Sequence, residues 1–190
     1  VVKVAATLDE DGRELIPRRE VPYDILVLAI GSLSNDFGTP GAREHAISLD
    51  TAEQAERFHR LLVNACIRAN SQHEPLAAEQ LKVAIIGAGA TGVELAAELH
   101  KTTREMVAYG LDKIDPEKDV HLTIVEAAPR ILPAVPERVS NAAAELLRGL
   151  NVCVLTGERV TEVRRDGVST VSGTRIPAEL TVWAAGIKAP

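Results

Sequence analysis

The segment Gly87-Ala88-Gly89-Ala90-Thr91-Gly92 constrains this chain more than any other stretch. It follows the apolar run Lys82-Val83-Ala84-Ile85-Ile86 directly and leads into Val93–Val107, which is rich in Ala, Glu and Leu. Glycines at this spacing are weak evidence in isolation, but between a buried strand and a helix each has a physical task. The first allows the tight strand-to-helix turn, the second lets a pyrophosphate approach the backbone, and the third lets the helix lie close to the strand. Gly87, Gly89 and Gly92 hold those three places. The unpaired N–H groups of Ala90, Thr91 and Gly92, with the positive end of the helix dipole, then favour a bound phosphate. The competing reading is a glycine-rich turn that binds nothing.

The flanking pattern extends this unit into a parallel α/β sheet. Val1–Leu8 reads as a strand and Arg13–Ile16 as its hairpin partner across Asp9–Gly12. Pro17 and Pro22 bracket a polar connection, and Ile25–Ile30 reads as a strand buried on both faces. Residues 31–47, with Gly31, Gly38, Pro40 and Gly41, read as a linker. Thr51 and Gln54 form a capping box that opens a helix to about Asn70. After the glycine turn and its helix, Val120–Val125 is a strand ending at Glu126, Glu137–Leu150 a helix and Val152–Leu155 a strand. Arg159–Arg164, Val168–Ser172 and Thr174–Ile176 suit a small antiparallel meander, and Leu180–Ala184 a last buried strand. Strands alternating with helices predict a Rossmann-like parallel sheet covered on both faces, with a small antiparallel β-meander appended.

Composition excludes several alternatives. The 190 residues are 46% hydrophobic and 25% charged, with a net charge of −6, which is ordinary globular composition without the basic face a nucleic-acid binder carries. No apolar run has the length needed to span a bilayer. Cys66 and Cys153 are not in a CxxC pattern and read as small, buried, reduced apolar residues. The five histidines are not at metal spacing, so no metal is expected. No GxSxG, HExxH or Walker A motif is present, and no side chain is nominated as catalytic. That suits hydride transfer, in which cofactors carry the chemistry and the protein orients them. The chain opens at Val1, its sole methionine is Met106, and it ends a few residues after an apolar strand, so a piece of a longer protein is expected.

Glu126, with Ala127 beside it, stands where an acidic residue at the end of the second strand bonds ribose hydroxyls. It lies further from Gly92 than the usual spacing of about 20 residues, because the helix and the loop 109–119 are long. A carboxylate there accepts from a free 2′-hydroxyl and repels a 2′-phosphate, so NAD(H) is expected over NADP(H). Arg130 would weaken that preference, and the bland reading of Glu126 is an exposed strand-end acid. Glu94 has two readings of equal weight. It is either an acid favoured by the helix dipole or a group that bonds a nicotinamide or a neighbouring cofactor.

These residues resemble a family of flavoproteins that bind two dinucleotides, specifically type II NADH dehydrogenases. Gly87-Ala88-Gly89-Ala90-Thr91-Gly92-Val93-Glu94-Leu95-Ala96-Ala97-Glu98-Leu99 is similar to the family's NADH-binding turn and helix. Tyr23–Gly31 resembles the stretch that ends the first part of the FAD domain, and Ser34–Gly41 with Glu44-His45-Ala46 resembles the linker after it. Glu126 with Pro129–Pro133 is similar to the second-strand region, and Trp183–Ile187 to the return into the FAD domain. The strand-end motif of the superfamily commonly reads Ala-Thr-Gly, whereas this chain has Ala29-Ile30-Gly31 and Ala184-Ala185-Gly186.

The resemblance implies residues 1–47 from an FAD-binding domain and its linker, 48–184 as an NADH-binding domain, and 185–190 as the return segment. It implies Ala29, Ile30 and Gly31 as an FAD-domain flank, and Ala185 and Gly186 as further cofactor-binding positions. A whole protein of this kind passes a hydride from NADH to FAD and electrons to a quinone, working peripherally at the cytoplasmic face of a membrane, with room for a homodimer. The alternatives are a ferredoxin or disulfide reductase of the same superfamily, or a non-catalytic NAD(H)-sensing module. With its partner domain missing, apolar surface near 1–47 and 185–190 is expected to be exposed.

Overall fold

A computed structural model describes all residues, Val1–Pro190, which divide into two compact units, Val1–Gly31 and Ser32–Pro190. The first unit holds four short strands: β1 (Val2–Val4), β2 (Thr7–Leu8), β3 (Glu14–Ile16) and β4 (Arg19–Val21). β2 and β3 form the expected hairpin, whose turn is fixed by Asp9 Oδ1 accepting from the N–H groups of Asp11 (3.0 Å) and Arg13 (2.7 Å). The stretch between Pro17 and Pro22 is more than a connection, because β4 pairs antiparallel with β1. Ile25–Ile30 does not form the expected buried strand: it has no ladder partner, and Ile25 and Val27 are 86% and 80% exposed. An apolar run becomes a doubly buried strand only where neighbouring strands accept its hydrogen bonds.

The second unit comprises β5 (Leu33–Ser34), α1 (Ala42–His45), β6 (Ala46–Ser48), α2 (Ala52–Ser71), β7 (Lys82–Ile86), α3 (Ala90–Ala108), β8 (His121–Glu126), α4 (Glu137–Gly149), β9 (Cys153–Thr156), β10 (Val160–Arg164), β11 (Gly167–Thr170), β12 (Arg175–Pro177), β13 (Leu180–Trp183) and β14 (Ile187–Lys188). Five strands make an all-parallel sheet in the order β6-β13-β7-β8-β9. Its edge strand β6 overlaps the end of the segment read as linker; three residues between His45 and Leu49 carry too little periodicity to announce a strand.

Alternation along β7 sends Val83 and Ile85 to one face and Ala84 and Ile86 to the other. Val83 and Ile85 pack with Phe58, Leu62 and Cys66 of α2, Ala96 and Leu99 of α3, and Leu147 of α4. Ala84 and Ile86 pack with Val163, Val168 and Ile176 of the antiparallel meander β10-β11-β12. The sheet is therefore covered by helices on one side and by the meander on the other. Cys66 is fully buried, and burial pushes its thiol up. Cys153 corrects the expectation of two buried cysteines, since it begins β9 at the sheet edge and is exposed.

Candidate functional site

The glycine turn occupies the carboxyl end of β7, beside the ends of β8 and β13. This is where open α/β sheets bind ligands. Its three glycines are held for different reasons. Gly87 has φ +104°, and a Cβ there would lie 2.8 Å from the backbone of Ala184 and Ala185. At Gly92 a Cβ would fall 2.0 Å from the carbonyl oxygen of Gly87, so α3 reaches the strand only because that side chain is missing. Gly89 differs from both, because its φ of −71° suits any residue and a Cβ there would meet nothing within 4 Å.

Backbone and side-chain bonds fix the turn from three directions. Gly87 N–H donates to the Val125 carbonyl at 2.8 Å, and Leu132 N–H donates to the Ala88 carbonyl at 2.8 Å. Glu126 accepts from Ala88 N–H through Oε2 and from Ala128 N–H through Oε1, both at 2.7 Å. The carboxylate thus ties the turn to the loop after β8, a contact that no spacing rule suggests. Two of its roughly four lone-pair directions remain for ligand hydroxyls. α3 begins at Ala90, earlier than expected, with Gly89 as an N-cap that makes no side-chain bond. The N–H groups of its first turn are therefore available to an anion.

A cleft of about 560 Å³ opens at this end of the sheet. Gly87, Glu126, Ala127 and Ala185 line it together, as do Phe37, Thr39 and Pro40 of the linker motif, Trp183 of the return motif and Arg159, none of them expected at the site. Gly89, half-buried, with Ala90 and Thr91, both exposed, stands at the start of α3 rather than in the cleft wall. Glu94 is exposed and lies beyond the first turn of α3, so it is not the first-turn acid of the helix-dipole reading. Gly186, at φ +67°, lies under the Phe37 ring, which a Cβ would strike at 2.3 Å. Ala29, Ile30 and Gly31 belong to the other compact unit.

Charge around the cleft is organised. Arg130 spends its guanidinium on the carbonyls of Leu132 (3.2 Å) and Pro133 (2.8 Å), which removes it as a free partner for a 2′-phosphate. Arg43 bonds Asp36 and holds its carboxyl below the usual range, and Asp36 in turn accepts from Gly38 N–H in the loop that carries Phe37. The hydroxyls of Thr170 and Ser172 beside Glu158 lower that carboxyl likewise. Glu158 lines the cleft with its Oε2 atom buried and outside hydrogen-bond geometry, and the hydroxyls of Thr170 and Ser172 are the donors placed to serve that carboxyl. An open glycine and an uncapped helix start, next to a cleft lined by Gly87 and Glu126, fit a nicotinamide dinucleotide.

Comparison with known proteins agrees with this architecture. The family model described as pyridine nucleotide-disulphide oxidoreductase matches residues 3–190. The chain is 38% identical to a type II NADH:quinone oxidoreductase of Haemophilus influenzae, across 99% of this chain and 45% of that protein. It is 30% identical to a type II NADH:quinone oxidoreductase of Mycobacterium tuberculosis, across 90% of this chain and 38% of that protein. The chain thus spans less than half the length of either relative. Among solved structures, NDH2 of Plasmodium falciparum in complex with NADH superposes with a TM-score of 0.76 at 21% identity, over 96% of this chain and 38% of that one. Putidaredoxin reductase, in its covalent complex with putidaredoxin, superposes at 0.62 with 26% identity, over 94% of this chain and 37% of that one.

Proposed function

The chain belongs to the pyridine nucleotide-disulphide oxidoreductase family, and on that premise we propose that it is the NADH-binding part of a type II NADH:quinone oxidoreductase. Residues 48–184 form the NADH domain, with the strand at 46–48 joining its sheet; residues 1–47 and 185–190 belong to the flavin side. The observation that carries the reading is the contrast among the glycines of the turn: packing demands Gly87 and Gly92, whereas the space beside Gly89 is open and leaves room for a ligand.

When bound, NADH supplies a hydride that the flavin of the whole protein accepts before electrons pass to a quinone. The residues of this chain bind and orient. The backbone at Gly89 admits the pyrophosphate, and the N–H groups of Ala90, Thr91 and Gly92 face its charge. Glu126 receives the ribose hydroxyls with its remaining lone pairs and repels a 2′-phosphate, and Ala127 lines the cleft next to it. Ala184 N–H donates to the Ile86 carbonyl at 2.8 Å, and the close approach of Gly87 to Ala185 keeps the two strand ends together beside the cleft. Glu94, exposed on α3 close to the anion-binding helix start, is assigned to a nicotinamide or a neighbouring cofactor. A second turn of this type does not occur in the chain, so these residues make no cradle for FAD. Ala29–Gly31 and Ala185–Gly186 border the flavin domain, a reading supported by the exposed apolar residues at 25–30. The whole protein works at the cytoplasmic face of a membrane, where its quinone resides, and no helix of this chain is long and apolar enough to cross one.

Calorimetric titration of this chain with NADH, and with NADPH in parallel, tests the reading. Saturable NADH binding with weaker NADPH binding is expected. Equal affinities would remove the role of Glu126, and binding that survives Gly89→Val would remove the phosphate cradle.

A further inference from the structure

A second concavity, of about 360 Å³, lies at the opposite, amino-terminal ends of the strands. Lys82 and His121 begin β7 and β8 and are registered partners across that parallel pair. Arg148, in the last turn of α4, reaches the same hollow. None of these three side chains takes part in an ion pair or a side-chain hydrogen bond, and no acidic residue lines the hollow. Three acids near these elements bond elsewhere, and Glu79 and Glu145, three residues before Lys82 and Arg148, do not line the hollow. Glu179 pairs with Arg68, Glu117 pairs with Arg104, and Asp119 accepts from Asp115 N–H at 2.8 Å.

In a chain of net charge −6, Lys82 and Arg148 line one hollow without an ion-pair partner, and the His121 imidazole lines it with them. Like charges held together raise the energy of the free protein, and a bound anion relieves it. Arg and Lys are the usual phosphate ligands, and the hydroxyl of Thr123 and the amide of Asn151 add donors on the same wall. We propose that Lys82, His121 and Arg148 form a phosphate-binding site at the amino-terminal edge of the sheet, opposite the edge that carries the dinucleotide cleft. Its ligand is a phosphate dianion, either free or carried by a small organic molecule whose body rests on Leu122, Ile176 and Pro177. The site is separate from the glycine turn and does not depend on the function proposed above.

The test is a titration of the chain with inorganic phosphate, and separately with phenyl phosphate, followed by backbone amide NMR shifts. Saturable shifts centred on residues 82, 121, 148 and 151 are expected with both probes. Tighter binding of phenyl phosphate assigns an organic phosphate, and equal binding assigns the free ion. Lys82→Met combined with Arg148→Met should weaken binding at least tenfold, whereas Gly89→Val should leave it unchanged. Both cationic side chains make no bonds, so the double variant keeps the fold. A second readout is Cys153, an exposed thiol on the same wall whose alkylation by neutral iodoacetamide should slow when phosphate is bound, while Cys66 stays buried and silent. Absence of saturation at millimolar phosphate overturns the proposal. So do shifts centred on residues 87–92, or shifts that persist undiminished in the double variant.

Discussion

At Gly89 the chain carries a glycine that its own packing does not require, and at Gly92 one that it cannot lose. Substitution should separate the two. Gly89→Val keeps an allowed backbone conformation and points into open space, so thermal stability should change by no more than about 1 kcal/mol. NADH binding should be lost by steric exclusion, as calorimetry would report. Gly92→Ala drives a Cβ into the Gly87 carbonyl and should cost about 3 kcal/mol, lowering Tm by roughly 10 °C. Glu126 has two tasks with different readouts. Removing it in Glu126→Ala frees Ala88 and Ala128 N–H, which should weaken NADH and NADPH alike; removing a charge beside the ribose should narrow the preference for NADH. An unaltered ratio with lower affinity would leave the clamp and discard the ribose assignment. The residue roles drawn from the sequence rest on a motif whose logic is local. Phe37 and Arg159 were not expected at the site because the loops after other strands bring them to the cleft.

Elements were legible in proportion to their local signal. The capping box at Thr51 forms as read: Thr51 Oγ1 accepts from Gln54 N–H at 3.3 Å, and Gln54 Oε1 accepts from Thr51 N–H at 3.2 Å. Thr51→Ala should therefore cost about 1 kcal/mol, measured by denaturant unfolding. Ser140 shows what periodicity does not announce. It is buried on α4 and donates to the Ile131 carbonyl at 2.6 Å, bracing the loop whose Leu132 holds Ala88. Ser140→Ala leaves that carbonyl unsatisfied, at about 1–3 kcal/mol, and should also weaken NADH binding several-fold through the loop. The loop carrying Phe37 is braced electrostatically by Asp36. Because Arg43 lowers the folded-state pKa of Asp36, the contribution is complete above the usual carboxylate value and is lost as pH falls through the lowered one. The Tm difference between wild type and Asp36→Asn should be constant at neutral pH and shrink below about pH 4. β4, β6 and the run Ile25–Ile30 were misread for one reason: pairing partners far along the chain, or their absence, decide whether a short segment is a strand.

At the scale of the whole molecule, one sheet edge carries one glycine turn and one cleft, so the stoichiometry is fixed. The purified chain should bind a single NADH, and it should be colourless, with no stoichiometric flavin absorbance near 450 nm. It should also fail to oxidise NADH with a soluble quinone, because the residues here orient a hydride donor and provide no acceptor. Ile25, Val27, Leu28 and Ile30, each at least 70% exposed, place four apolar side chains on the surface within six residues. Exposed apolar clusters drive association, so sedimentation should show concentration-dependent oligomers. Replacing Ile25, Val27 and Leu28 together with Lys should abolish them. Since these side chains bury nothing in this chain, the same triple variant should keep its Tm and its NADH affinity. A fall in either would mean that the segment packs on the remainder of the chain in solution. A flavin retained through purification would mean instead that these apolar residues contribute to a cofactor site of their own.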